Sequence, residues 1–312
     1  MINKLYLGVD VGGTFTKLAL VNEACRIVAR HSISSQGFSD KAFFVKELRA
    51  ALSLLLSGYG KHLSHIRGAG IGLPGPVDAQ GGIVLSLTNI FKWNNFALVS
   101  YLKRFFSFPI FIENDANCMA LAESRCGAAK GASYALCLTL GTGVGGGLIL
   151  EKKIYRGPFF LGGEIGHVPV ALSGERCPCG GSACLERYVG NRAIMARAKK
   201  EFARTISLEE VSLLARKGDH KAIKIWDDVG RYIGLALSGV VNVINPEVIV
   251  VGGGVSMAGD VLMKSIERSV RKHAMANLKD KIKVKRALLG TDAGVLGAAL
   301  LAKVPAKTAG PR

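Results

Sequence analysis

Apolar positions along this chain follow two rhythms that alternate, and the alternation occurs twice. Residues 5–10, 17–21 and 26–33 read as three short strands separated by tight turns. Asp40 then precedes an apolar period of helical spacing that runs to about residue 57, where Gly58 and Gly60 stop it. A strand at 67–72 ends in the rigid turn Leu73-Pro74-Gly75-Pro76. A loop carrying Thr88, Trp93 and Asn95 leads to a predicted helix near 96–106. A buried strand at 109–112 hands over through Glu113-Asn114-Asp115 to a helix from 116 to about 126.

The second half starts again in the same order. Strands are predicted at 134–140, 147–150 and 153–155, and helices at roughly 186–204, 208–217 and 220–243. Ser207 and Glu210 have the spacing of a capping box. A continuously apolar strand at 248–251 passes through Gly252-Gly253-Gly254 into a helix reaching about 276. A strand at 282–285 and a helix from about 292 close the chain. A strand–turn–strand–strand–helix order used twice predicts two similar α/β lobes facing each other across a cleft. The N-terminal lobe is expected to cover residues 1–113 and the C-terminal lobe 114–291, with the closing helix at 292–303 packing back on the first.

Composition narrows the class. At 312 residues, with 49% hydrophobic and 21% charged, the chain has enough apolar material for two globular domains. The net charge of +18 raises nucleic acid or a membrane surface as partners. Lysine and arginine are scattered, however, with no basic run beyond short pieces such as 279–286, so the charge reads as a solvated surface. The uncharged window 131–150 holds six glycines and makes a poor membrane helix. The N-terminus reaches an aspartate by position 10 and does not read as a signal peptide. Seven unevenly spaced cysteines argue against a secreted disulfide framework, and a cytoplasmic protein is expected.

The 39 glycines cluster where backbone must approach something closely. Asp10-Val11-Gly12-Gly13-Thr14 and Gly141-Thr142-Gly143 form tight turns at matching places in the two halves. Such turns present several N–H groups on one side, and each adds a threonine hydroxyl, which suits phosphate oxygens. Gly141, Gly143 and Gly146 also satisfy the G-x-G-x-x-G pattern of dinucleotide folds. That pattern needs a helix directly after it, and here another strand follows, so a dehydrogenase is rejected. Gly252-Gly253-Gly254 ends a buried strand and serves either a flat adenosine ring or close helix–strand packing.

Asn114 and Asp115 fall at a helix start, where both are ordinary capping residues. The same position favours an ionised carboxylate, so Asp115 could accept the proton of an attacking hydroxyl, as an aspartate does in kinases. Asp10 could hold Mg²⁺ through waters. His167, Cys177, Cys179 and Cys184 offer one nitrogen and three sulfurs, the donor set of a closed tetrahedral zinc site. A closed site leaves no position for catalytic water, so a structural Zn²⁺ is expected, with Glu164 and Glu186 left free for sugar hydroxyls.

The motifs DVGGT at 10–14, GLPGPVD at 72–78, ENDAN at 113–117, LGTGVGGG at 140–147, GEIGH at 163–167 and CPCGGSACLE at 177–186 together resemble the ROK family of bacterial sugar kinases, open reading frames and sugar-responsive repressors. The resemblance spans residues 5 to about 301. It implies an actin-like, hexokinase-like (ribonuclease H-like) pair of lobes and ATP-dependent phosphorylation of a hexose at its 6-hydroxyl. Glucose is the substrate implied first; N-acetylmannosamine or N-acetylglucosamine is the alternative. By the same resemblance Asp115 is the catalytic base, and Gly75, Asn114, Glu164, His167 and Glu186 join it around the sugar. Asp10, Gly12, Gly13 and Thr14 match the first phosphate motif, Thr142 and Gly143 the second, and Gly252, Gly253 and Gly254 the adenosine motif. A homodimer or other homo-oligomer is expected, with neither nucleic acid nor membrane as partner. ROK repressors carry a DNA-binding domain ahead of the kinase-like region, and a phosphate motif beginning at residue 10 leaves no room for one. Ala183 stands where the family usually has glycine, so a left-handed backbone there would be mildly strained. The first motif reads GGTFTK rather than the frequent GGTK, and Lys17 is therefore given no phosphate role.

Overall fold

The computed structural model describes residues 4–60, 62–87 and 91–303. The chain opens with β1 (Leu5–Val11), β2 (Phe15–Asn22), β3 (Ile27–Ser34) and α1 (Lys41–Gly58). Asp40 caps α1 by accepting the amides of Ala42 and Phe43. Next come β4 (Ile66–Leu73), β5 (Val77–Asp78), β6 (Ile83–Leu87), β7 (Trp93–Phe96), α2 (Leu98–Leu102), β8 (Ile110–Asn114) and α3 (Asp115–Cys126). The second half contains β9 (Ala135–Leu140), β10 (Val144–Leu150), β11 (Lys153–Tyr155), α4 (Glu186–Val189), α5 (Asn191–Phe202), α6 (Leu208–Arg216) and α7 (His220–Ile244). It closes with β12 (Val248–Gly252), α8 (Asp260–His273), β13 (Lys283–Arg286) and α9 (Ala293–Lys303).

The two halves share one sheet plan. The first five-stranded sheet runs β3-β2-β1-β4-β8 and the second β11-β10-β9-β12-β13. In each, the first three strands are antiparallel neighbours and the last two run parallel to the founding strand. The glycine turns therefore occupy equivalent places, β1 to β2 and β9 to β10. Each sheet has its own apolar core, one around Leu7, Leu20, Phe44 and Ile71, the other around Leu138, Trp226, Ile249 and Ile266.

The chain divides into two compact units. One holds the residues up to Ala122, Arg156–Leu161 and those from Thr291; the other holds Glu123–Tyr155 and Gly162–Gly290. The lobe boundary read at 113/114 thus falls short, and the division lies inside α3. Packing explains this. Cys118 of α3 sits against Gly72 of β4, and its carbonyl lies where a side chain at Gly297 of α9 would point, so the first turns of α3 belong to the first unit. Helix α9 lies on β1 and β4 so closely that a Cβ at Gly70 would come within 1.8 Å of the Ala298 carbonyl oxygen.

Four local readings are corrected. The segment expected as a helix at 96–106 forms only the short α2, while the loop expected before it contributes β7, and β5, β6 and β7 form a small third sheet. Trp93 pulls β7 inward by packing edge-on against Phe44 and Phe96, with ring centroids 5.2 Å away in both cases. The helix expected over 186–204 breaks at Gly190, which is extended at φ −69° and ψ 154°. The helix expected directly after Gly254 is a 3-10 turn, Gly254–Ala258, and α8 starts only past Gly259, which has φ 86°. The capping box is half made: Ser207 accepts the Glu210 amide, but the Glu210 side chain pairs with Arg204. Thr88 lies outside the described residues. Among those residues no helix is long and apolar enough to cross a membrane.

Candidate active site

In the first unit, Asn114 is the true cap of α3. Its Oδ1 accepts the amides of Ala116 at 2.9 Å and Asn117 at 3.1 Å, while its Nδ2 donates to the Gly75 carbonyl at 3.3 Å. Asp115 follows as the first helical residue, half-buried, with Oδ1 accepting the Ala116 amide at 2.8 Å. Asn114, Asp115 and the Gly75 turn are therefore one cluster, built where β4 and β8 end side by side.

Two residues beneath this cluster escaped the sequence reading. Glu113 is 1% exposed, and its Oε2 accepts a 2.6 Å hydrogen bond from Arg156 Nε. Its Oε1 accepts the Asn114 amide and Asn117 Nδ2, both at 3.0 Å. A buried carboxylate without a cation would be strongly destabilising, so Arg156 is what permits Glu113 to brace the Asn114–Asp115 step from below. The available signal was a glutamate ending an apolar strand.

Asp10, next to last in β1, lies against the start of α9, where a Cβ at Gly294 would fall 2.6 Å from its carboxylate. Burial raises the Asp10 pKa from its ordinary value, partly offset by the nearby Lys17 ammonium. Lys17 itself donates to the Thr291 carbonyl at 3.0 Å. The turn after Asp10 is closed by Gly12 N–H to the Phe15 carbonyl, and Gly13 and Thr14 are exposed.

In the second unit, the turn from β9 to β10 is closed by Gly141 N–H to the Gly143 carbonyl at 2.9 Å, with Thr142 exposed at its tip. Strand β10 begins at Val144, so no helix follows the glycines. Glu186 Oε2 accepts the Val144 amide at 2.9 Å. At the end of β12, Gly253 has φ 82° and a Cβ there would strike Leu140, which is the packing explanation for that glycine. Among the described residues nothing lies within 4 Å of a Cβ at Gly254, so its face is open.

The cysteine loop folds around its sulfurs. Backbone pairing of Cys177 N–H with the Gly181 carbonyl, and bridges of Pro169 with Cys184 and Arg176 with Ser182, hold a tight knot. One donor atom from each of His167, Cys177, Cys179 and Cys184 lies within 4.8 Å of every other. Cys177 Sγ is 3.6 Å from His167 Nδ1, and Cys179 Sγ is 3.6 Å from Cys184 Sγ. Thiolates bound to zinc at ~2.3 Å stand about 3.8 Å apart on a tetrahedron, so the residues fit a zinc ion. The other nitrogen of His167, Nε2, lies 3.9 Å from Glu164 Oε2. The Glu164 pKa is raised, chiefly by partial desolvation, with His167 opposing and Glu186 adding to the shift. The two glutamates and the histidine thus share one neighbourhood. Ala183 does adopt a left-handed backbone, φ 54°.

The ROK family profile matches residues 6–304. The chain belongs to the ROK family. A glucokinase from Halalkalibacterium halodurans is 36% identical over 97% of this ROK chain and 96% of its own length. A ROK glucokinase from Streptomyces griseus, solved with glucose and AMPPNP, superposes with a TM-score of 0.82 at 32% identity, covering 96% of this chain and 99% of that one. A ROK transcriptional regulator, a homologue of the E. coli Mlc protein, superposes with a TM-score of 0.86 at 26% identity, covering 96% of this chain and 78% of that one. The α/β fold with paired mixed sheets is therefore common to ROK kinases and regulators, and only the site residues can separate the two activities.

Proposed function

We propose that this ROK chain is a cytoplasmic, ATP-dependent hexose kinase that phosphorylates the 6-hydroxyl of glucose. The observation that carries the reading is Asp115, a carboxylate at the first turn of α3 steadied by its cap Asn114 and by the buried Glu113–Arg156 pair. The helix N-terminus favours its charged form, and an ionised carboxylate can take the hydroxyl proton as that oxygen bonds to the terminal phosphorus. The bridging bond to ADP breaks as the new O–P bond forms, and the proton stays on Asp115.

The other residues take their parts around that base. Gly75, Asn114, Glu164, His167 and Glu186 hold the sugar hydroxyls. Asp10, Gly12, Gly13 and Thr14 take one set of phosphate oxygens, Thr142 and Gly143 another, and Gly252, Gly253 and Gly254, the last with its face open, take the adenosine. Mg²⁺ arriving with ATP would neutralise phosphate charge near Asp10. His167, Cys177, Cys179 and Cys184 would hold a structural zinc whose four ligands fill its tetrahedron, leaving reaction chemistry to Asp115. The split roles of the His167 nitrogens support this: Nδ1 faces the sulfurs while Nε2 faces Glu164.

Replacing Asp115 by Asn retains the shape and removes the base. Asp115→Asn is expected to lower kcat by about 10²-fold or more while glucose binding, read by calorimetry, stays within a few-fold of the parent. Retention of most of the turnover would remove Asp115 from its role.

A further inference from the structure

Glu186 stands on the sugar side of the proposed site, yet it is bonded to the donor side. It opens α4 two residues after Cys184, and its Oε2 accepts the Val144 amide at 2.9 Å, at the far end of the phosphate turn. The turn is shaped for that carboxylate: a Cβ at Gly143 would come within 2.4 Å of the same oxygen. The corner between α4 and α5 is moulded on the turn as well. Asn191 N–H donates to the Gly141 carbonyl at 3.0 Å, and a Cβ at Gly190 would meet the Thr142 and Glu186 carbonyls at 3.1 and 3.0 Å. The break at Gly190 therefore has a purpose, because an unbroken helix could not follow the turn so closely.

We propose that Glu186 is a positioning residue for ATP: it locks the phosphate turn at 141–144 to α4, so that one carboxylate serves both the sugar wall and the grip on the donor. The inference rests on the hexose-kinase reading. Its consequence is that sugar and nucleotide affinities are coupled through Glu186, each raising the other by the same factor. The cysteine knot gains a second task, since α4 begins where the knot ends.

The test is AMPPNP binding by calorimetry with no sugar present, where a residue that only touches sugar has no influence. Glu186→Ala is expected to weaken AMPPNP binding about tenfold, through loss of a charge-assisted hydrogen bond that orders the turn. Glu186→Asp retains the charge but draws the oxygen back by one methylene, and is expected to weaken it likewise. Glu186→Gln, whose carbonyl can still accept the Val144 amide, should bind within about threefold of the parent. Glu164→Ala, on the same wall but with no bond to the turn, should lose glucose affinity and leave AMPPNP affinity unchanged. Melting temperatures check that each variant is folded, and Asp and Gln carry the comparison if Ala is not. Equal AMPPNP affinity in the parent and in the Ala and Asp variants would overturn the inference alone. Failure of the parent to bind AMPPNP would overturn it together with the kinase reading.

Discussion

Asp10 and Asp115 are both aspartates at the carboxyl ends of strands, but their surroundings set them apart. Asp115 sits at a helix start that welcomes charge, whereas Asp10 is pressed against α9, where burial outweighs Lys17 and raises its pKa. A carboxyl with a raised folded-state pKa contributes stability at low pH and loses it as pH rises through that value, so ionised Asp10 is a burden on the native state at neutral pH. Asp10→Asn should therefore raise the melting temperature at pH 7, with the gain fading as pH falls toward the unfolded pKa of about 3.9. Kinase turnover should fall in the same variant, the trade expected of a strained functional group. A pH series of melting curves in which parent and variant run parallel would contradict this. The places of Asp115 at a helix start and of Gly12 and Thr142 in tight turns were legible in the sequence because each belongs to a contiguous motif. Glu113 with Arg156 was not, because 43 positions separate the partners and only the fold brings them together.

At the scale of elements, the cysteine loop shows how local chemistry can be read ahead of geometry. His167, Cys177, Cys179 and Cys184 stood out in the sequence as a donor set, and the fold brings one donor atom from each together. Ala183 was anticipated as strained and has φ 54°, although its methyl is buried beside Gly174 and recovers part of that penalty. If zinc closes the knot, the purified protein should contain about one zinc per chain by elemental analysis, and chelation should lower its melting temperature. A metal-free preparation with unchanged stability and glucose affinity would remove zinc from the account. Other elements were less readable. Strands β5, β6 and β7 have two, five and four residues, too few for an alternating pattern to stand out. The breaks at Gly190 and Gly259 were hidden because an isolated glycine inside an apolar period does not say whether the helix continues.

Across the whole molecule, one sheet plan is used twice, and the repeat was visible as a repeated order of elements before any motif was weighed. Its equivalent turns carry Gly12 to Thr14 in one unit and Thr142 with Gly143 in the other, while Asp115 stands in the first unit and the cysteine knot in the second. The lobe boundary was misread because β8 and α3 look like the start of a new unit in sequence, whereas α3 is packed under β4 and α9. The similarity of ROK kinases and regulators in fold makes activity the decisive question. ADP release should be measured with ATP, Mg²⁺ and, in separate reactions, glucose, N-acetylmannosamine and N-acetylglucosamine, with the phosphorylated product identified by NMR. The account predicts release that depends on sugar, is fastest per unit concentration with glucose, and yields the 6-phosphate. Faster turnover of an N-acetylhexosamine would reassign the substrate within the same chemistry, and no release above background with any of these sugars would contradict the kinase.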